Sequence, residues 1–326
     1  LIIVLGFPLM VVGQNAGYHR AERLMGCNFD LTVVAADEGS AKDYLDLAVA
    51  EIQRIERLIS SWDSTSQTSA INRMAGTAPV VVDRELFDLI QRANGISRLT
   101  DGAFDLTYAA LDRIWAFDGS MTRMPDREAV RASVAKVGYR HIRLDPESSS
   151  VYLPEAGMKI GFGAIGKGYA ADRARELLER AGVKGGIINA SGDLTAWGTR
   201  ADGQEWKVAI TNPLNREKAF AWFPISDRAV VTSGDYEKFV TFEGVRYTHI
   251  IDPRTGYPSS GIVSATVFAP KAELADALAT AVFVMGIETG LDFINQLPEI
   301  DLIIVDEKNQ LHVSNGIDLE VYRADN

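Results

Sequence analysis

The stretch AELADALATAVFVMG, Ala272 to Gly286, limits what this chain can fold into more than any other. Its spacing predicts a helix that is apolar around nearly its whole circumference, so other elements must enclose it on every side. Asp276 and Thr280 stand on one face of that helix, a single turn apart. A carboxylate enclosed in this way is costly unless a cation or hydrogen-bond donors meet it. Two readings stand. Asp276 caps a helix or pairs with a basic side chain, or its oxygens and the Thr280 hydroxyl hold a hard metal such as Mg2+.

A chain of 326 residues, 47% of them hydrophobic, has enough apolar material to enclose such a helix. A strand predicted over 30–36 leads into an amphipathic helix with Tyr44, Leu45, Ala48, Ile52, Ile55 and Ile59 at helical spacing. The polar loop SWDSTSQTSAINR follows, then a second helix over 84–99 that TDGAFDLT breaks, then a short helix, DREAVRASVAKVG, stopped by Gly138. The middle of the chain reads as strand (MKI), glycine-rich loop (GFGAIGKG), helix (YAADRARELLERAG) and strand (GGIINA). After Gly192 the pattern turns to short β segments near 194–199, 205–211, 219–225, 228–232, 237–242, 246–251 and 262–268. A final hairpin is expected near 301–313. No repeat, low-complexity tract or Pro/Ser linker marks a domain boundary. The mixture predicts an α+β fold of mixed or antiparallel sheets packed with helices, not a regular doubly wound order.

The formal charge of −11 argues against a protein that grips nucleic acid through its phosphates, and no basic stripe is present. An anionic small ligand would need local cations or a metal to offset this field. Cys27 is the only cysteine, so no intrachain disulfide or thiolate metal cluster can form. The opening LIIVLGFPLMVV is almost wholly apolar, yet twelve residues rise only ~18 Å as a helix, too short to cross a bilayer. Residues 1–17 fit the apolar part of an export signal, a buried strand being the other reading, and 18–326 are assigned to the folded domain.

Five further stretches bear on the chemistry. GFGAIGKG, Gly161 to Gly168, nearly matches a P-loop but has Gly168 where the Mg2+-binding Ser or Thr belongs, which argues against an NTPase of that kind. Its glycines still let backbone N–H groups approach an anion at a helix start; the alternative is an ordinary turn with a surface lysine, Lys167. NASGDL, TSGDYEKF and TDGAFD each read, alone, as turns. In RYTHIIDPRTGYP, His249 lies within a β-branched run that predicts a half-buried position, and the rigid turn Asp-Pro-Arg-Thr-Gly follows at once. A packed core histidine and a general base are both open readings here.

Taken in order, Met25-Gly26, TDGAFD, GAIGKGYAAD, NASGDL, TSGDYEKF, THIIDPRTGYP and ADALATA resemble the ApbE-like FAD:protein FMN transferases, over roughly Met25 to Asp318. The resemblance implies a T-fold-related α+β architecture. It implies FAD as substrate, Mg2+ as cofactor, and transfer of FMN to a Ser or Thr hydroxyl of an acceptor flavoprotein with release of AMP. It also implies an exported protein at the periplasmic or cell-envelope side of the inner membrane, peripherally associated with the membrane through its acceptor.

By the same resemblance the Ala164 carbonyl, Asp276 and Thr280 hold the metal, Asp276 and His249 are catalytic, and His249 is the base. Met25, Trp62, Ala103, Phe104, Asp105, Lys167 and the backbone at Ile250 line the FAD site. Alternatives in other classes are an FAD pyrophosphatase yielding FMN and AMP, and an exported flavin-binding protein with little turnover. The chain departs from the family pattern at Gly161, commonly acidic; at Cys27, usually a small hydroxyl residue; and at Trp62, frequently tyrosine.

Overall fold

In the computed structural model the enclosed helix lies at the centre of the molecule. The structure describes residues 15–111, 114–117, 120–212, 215–234, 239–242 and 245–318. Most of the apolar opening segment and Asp235 to Lys238 of TSGDYEKF therefore lie outside the described residues. The first half contains β1 (Ala16–Leu24), β2 (Cys27–Ala35), α1 (Glu38–Ile59), α2 (Gln67–Arg73), β3 (Val80–Val81), α3 (Arg84–Leu99), α4 (Arg127–Val134), β4 (Arg143–Asp145) and β5 (Ser150–Tyr152). The second half contains α5 (Gly166–Arg180), β6 (Gly186–Ala190), β7 (Asp193–Trp197), β8 (Trp206–Asn212), β9 (Asn215–Ile225), β10 (Arg228–Gly234), β11 (Phe239–Phe242) and β12 (Val245–Thr248). It ends with β13 (Ile262–Ala269), α6 (Ala272–Met285), α7 (Ile287–Ile294), β14 (Asp301–Asp306) and β15 (Leu311–Val313). No helix among these residues is long and apolar enough to cross a membrane.

Eight strands form one sheet in the order β1-β2-β6-β7-β10-β13-β14-β15, with every neighbouring pair antiparallel. One face of the sheet packs against α1, α5 and α6, burying Phe29, Leu31, Val231, Ala265 and Val267 under Ile52, Ala170, Leu278 and Phe283. The β8–β9 ribbon covers part of the other face, where Trp206, Ile210 and Phe223 meet Ala196, Val230, Phe268 and Ile303. The α+β expectation holds. β1 is an addition to it: exposed and half-buried residues alternate along this edge strand, and a two-residue turn at Met25-Gly26 pairs it with β2. Both turn residues have positive φ, 51° and 76°, as such tight hairpins require.

One expected strand does not form. Met158 and Ile160 of MKI are fully buried, but their segment has no strand partner. The Asn72 side chain takes that place: its Oδ1 accepts from Ile160 N–H at 2.8 Å and its Nδ2 donates to the Ile160 carbonyl at 3.0 Å. A side-chain amide has here replaced a neighbouring backbone.

The contact that orders the helical layer is between α5 and the start of α6. A Cβ on Gly168 would overlap the Ala272 carbonyl oxygen and lie 2.9 Å from Glu273 N, so the two backbones touch through the missing side chain. One turn further along α5, Asp172 accepts from Ala272 N–H at 3.0 Å and Glu273 N–H at 2.9 Å. It caps α6 from a neighbouring helix, a service that Lys271 at the N-cap position does not provide. GYAAD thus reads as small residues for close approach followed by a remote cap.

Two expected outcomes follow from this contact. Helix propensity alone favours alanine over glycine by about 1 kcal/mol, but overpacking against backbone costs about 1–3 kcal/mol. Gly168→Ala should therefore lower the urea-unfolding free energy, and a stabilised variant would contradict the close approach. Burial pushes the Asp172 carboxyl up to about 6, against the pull of the two amides. A carboxyl raised on folding holds its proton more tightly in the fold, so its contribution to stability falls as pH rises from 3.8 to about 6. Asp172→Asn does not titrate. Its stability relative to wild type should improve between about pH 4 and about pH 7, and a difference independent of pH would count against the buried, titrating carboxyl.

Candidate active site

The same α5–α6 contact delivers the acidic residue. Gly168 N–H, the donor that would close the first turn of α5 on Ala164, donates instead to Asp276 Oδ2 at 3.2 Å. Among the described residues no backbone hydrogen bond ends on the Ala164 carbonyl. Ala164, Asp276 and Thr280 all line one cavity of about 310 Å3, within the size range of small-molecule sites. A carbonyl, a carboxylate and a hydroxyl suit a hard cation. No cluster of three His, Cys, Asp or Glu side chains suited to a metal occurs among the described residues, so a metal here would depend on the main chain and a hydroxyl.

Asp276 is 4% exposed and Asp193, at the start of β7, is 2% exposed. The two carboxylates are near enough for the Asp193 charge to act on Asp276. Lys167 Nζ lies 2.7 Å from Asp193 Oδ2. Burial and the Asp193 charge hold the Asp276 carboxyl well above its ordinary value, while Lys167 and the Gly168 amide pull the other way. Burial opposes the charge on Lys167, but the two carboxylates outweigh it and keep the ammonium protonated. Lys167 lines the cavity, as expected, with its charge committed to an acidic pair. Asp193 was hidden in NASGDL, which alone reads as a turn; only the antiparallel β6–β7 pairing brings it beneath Lys167.

His249 faces this cavity and a second one of about 870 Å3, which it shares with Tyr108, Gly163 and Ile251. The half-buried expectation for His249 is corrected: it is exposed and sits one residue beyond β12. The strand alternation instead buries Thr248, 2% exposed, whose Oγ1 accepts from Ile250 N–H at 2.8 Å. The turn after it is rigid. Asp252 Oδ1 accepts from Arg254 N–H at 2.9 Å, the Asp252 carbonyl accepts from Gly256 N–H at 2.8 Å, and the Arg254 guanidinium closes on both Asp252 oxygens. Gly256, φ 74°, lies against Val130 and Val134 of α4, where a Cβ would come within 2.8 Å of a methyl group. Trp115 Nε1 donates to its carbonyl at 2.9 Å.

The other expected residues divide. Ala103, Phe104 and Asp105 line the first cavity. The Asp105 carboxylate is already occupied, accepting from Thr107 N–H, Thr107 Oγ1 and Tyr139 N–H at 2.6–2.8 Å. Ile250 also lines it, but its N–H is held by Thr248 and its carbonyl accepts from Ser259 N–H at 2.8 Å. Trp62, 82% exposed, stands at the rim of the second cavity. Met25 lines neither; its Sδ-methyl end points toward Gly166 at the start of α5. At Gly161, a Cβ would meet Ala109 Cβ at 3.0 Å, so the small residue fits a crowded loop. Ser191 of NASGDL and Thr232 and Ser233 of TSGDYEKF also line the first cavity, as does Tyr108, which no motif announced.

Comparison with known proteins places this geometry. The sequence profile described as the ApbE family matches residues 25–304. A Treponema pallidum protein named FAD:protein FMN transferase is 33% identical, with 92% of this chain and 87% of that protein covered. A Klebsiella pneumoniae protein of the same name is 33% identical, with 93% and 94% covered. The crystal structure of the Thermotoga maritima ApbE protein superposes with a TM-score of 0.85 at 31% identity, covering 95% of this chain and 100% of that one. With its sequence matched along most of its length and its eight-stranded architecture shared, the chain belongs to the ApbE family.

Proposed function

We propose that this chain is a Mg2+-dependent FAD:protein FMN transferase. It cleaves the pyrophosphate of FAD, attaches FMN to a Ser or Thr hydroxyl of an acceptor flavoprotein and releases AMP. The class of enzyme, a transferase, follows from its relatives. The observation that carries the finer reading is one cavity lined by Ala164, Asp276, Thr280 and His249 together.

A bound Mg2+ would neutralise charge developing on the phosphoryl oxygens. Ala164, Asp276 and Thr280 would hold it, all through oxygen, with the Gly168 amide fixing the Asp276 carboxylate and Lys167 pairing with the neighbouring Asp193. His249 takes the proton of the attacking hydroxyl as that oxygen bonds to the FMN phosphorus and the bond to the AMP oxygen breaks. Its place at the junction of two cavities supports this role, since a base must reach both the nucleotide and an acceptor arriving from outside. The hairpin at Asp252 to Gly256 keeps the imidazole from following the flexible path that an exposed residue otherwise has. Export of the protein, and contact with a membrane through its acceptor, belong to this same proposal.

Asp276→Ala should remove Mg2+-dependent AMP release from FAD and weaken Mg2+ binding measured by calorimetry, with the circular dichroism spectrum kept. Full activity with a retained metal requirement would refute the ligand assignment. For His249→Ala, FAD affinity should stay near normal while single-turnover FMN transfer slows by ~10²–10⁴-fold, the usual worth of a general base. A variant that melts earlier yet transfers FMN at the wild-type rate per folded molecule would show a packing residue instead.

A further inference from the structure

Tyr108 stands where the two cavities meet, lining both. It lies on the short helical turn Leu106–Ala110, which Asp105 caps by accepting from Thr107 N–H. Its phenol oxygen accepts from Gly163 N–H at 3.2 Å. A Cβ at Gly163 would overlap that oxygen, so the glycine loop is shaped around the hydroxyl. The hydroxyl is thereby fixed beside Ala164, the next residue and one of the three oxygen donors assigned above.

A hydroxyl that accepts one hydrogen bond still has its own proton to give. Among the described residues, the Gly163 contact is the one hydrogen bond that the Tyr108 hydroxyl makes. The phenol also stays protonated, because burial raises its pKa and the Asp276 charge adds to that, against the pull of the Gly163 amide. A fixed neutral donor with an unused proton is well matched to an anionic oxygen, and hydrogen bonds to charged acceptors are the strong ones. The flavin ring offers a weaker claim on it, since a neutral ring acceptor gains less from the same proton.

Resting on the function proposed above, we propose that Tyr108 is a substrate-binding residue whose O–H donates to a pyrophosphate oxygen of FAD, with Gly163 holding the phenol in line. Nothing in this assignment depends on the residue changing its protonation state. Tyr108 would then supply the neutral donor in a site whose one ammonium, Lys167, is already committed to Asp193.

The test is Tyr108→Phe, which keeps the ring and removes only the hydroxyl. Equilibrium binding of FAD, ADP and riboflavin is measured without divalent cation, so that no turnover intervenes, and AMP release is then measured with Mg2+. FAD and ADP should each bind about tenfold more weakly or worse, the worth of a hydrogen bond to a charged group, while riboflavin, which has no phosphate, binds as before. Equal weakening of all three ligands would mean that the cavity had changed shape, and would overturn the assignment. So would unchanged binding of all three, whether or not AMP release or melting temperature moved. Failure of the wild-type protein to bind FAD would instead remove the flavin reading itself, a result visible before any variant is made.

Discussion

Everything at the site depends on how closely α5 and α6 approach. Glycine at 168 lets the α5 backbone rest on the first carbonyl of α6, and Asp172 ties down the two amides beside it. The two features act on the same end of α6 and fix its position along its axis as well as its distance. One turn into that helix comes Asp276, and one turn further Thr280. Because Gly168 also donates its own N–H to Asp276, the contact that sets the helix packing sets the carboxylate too. A residue that packs and a residue proposed to hold the metal are coupled through a single backbone amide. The Ala164 carbonyl is left without a backbone partner by the same displacement.

The electrostatics follow from that packing. Two carboxylates buried together repel, and each is costly to ionise away from water. Lys167, from the first turn of α5, offsets one of them and leaves the pair short of one positive charge. Charge on both carboxylates would weaken the hold on a pyrophosphate without barring it, the more so in a chain of net charge −11. A divalent cation at the proposed site would offset that charge and strengthen the hold on an anionic substrate. This is why the committed lysine and the proposed metal belong to one account: the ammonium stabilises the acidic pair, and the cation makes that pair useful.

Much of this was legible in the chain because it rests on local pattern. The uniform apolarity of Ala272 to Gly286 foretold enclosure, and Asp276 at its centre foretold that something must meet a buried charge. The Arg84–Leu99 helix follows from its periodicity and stops where TDGAFD breaks it. What was not legible depends on partners distant in sequence. The segment MKI has the composition of a buried strand, and only the position of Asn72 shows that a side-chain amide has taken the strand's hydrogen bonds. His249 lies in a run whose alternation could continue in either phase, and burial of Thr248 decided it. Asp193 and Tyr108 carry no signature because their roles exist only across β7–α6 and turn–loop contacts.

The exposed position of His249 fits the reaction better than the half-buried one that its sequence suggested. A base that serves a large acceptor protein cannot be reached if it is buried in the core. A fully mobile surface histidine would be accessible but poorly aimed, and misplacement of a reacting group by about an ångström costs orders of magnitude in rate. The fold meets both demands by ending β12 at Thr248, anchoring that residue in the interior, and closing the chain beyond with the Asp252–Arg254 clasp and the Gly256–α4 contact. The imidazole is held from both sides along the chain and left open to the two cavities. Glycine at 256 is required for the clasp because that backbone has φ 74° and meets two valine side chains. The rigid turn that follows the histidine therefore serves the proposed base, since it gives a solvent-facing residue the fixed aim of a buried one.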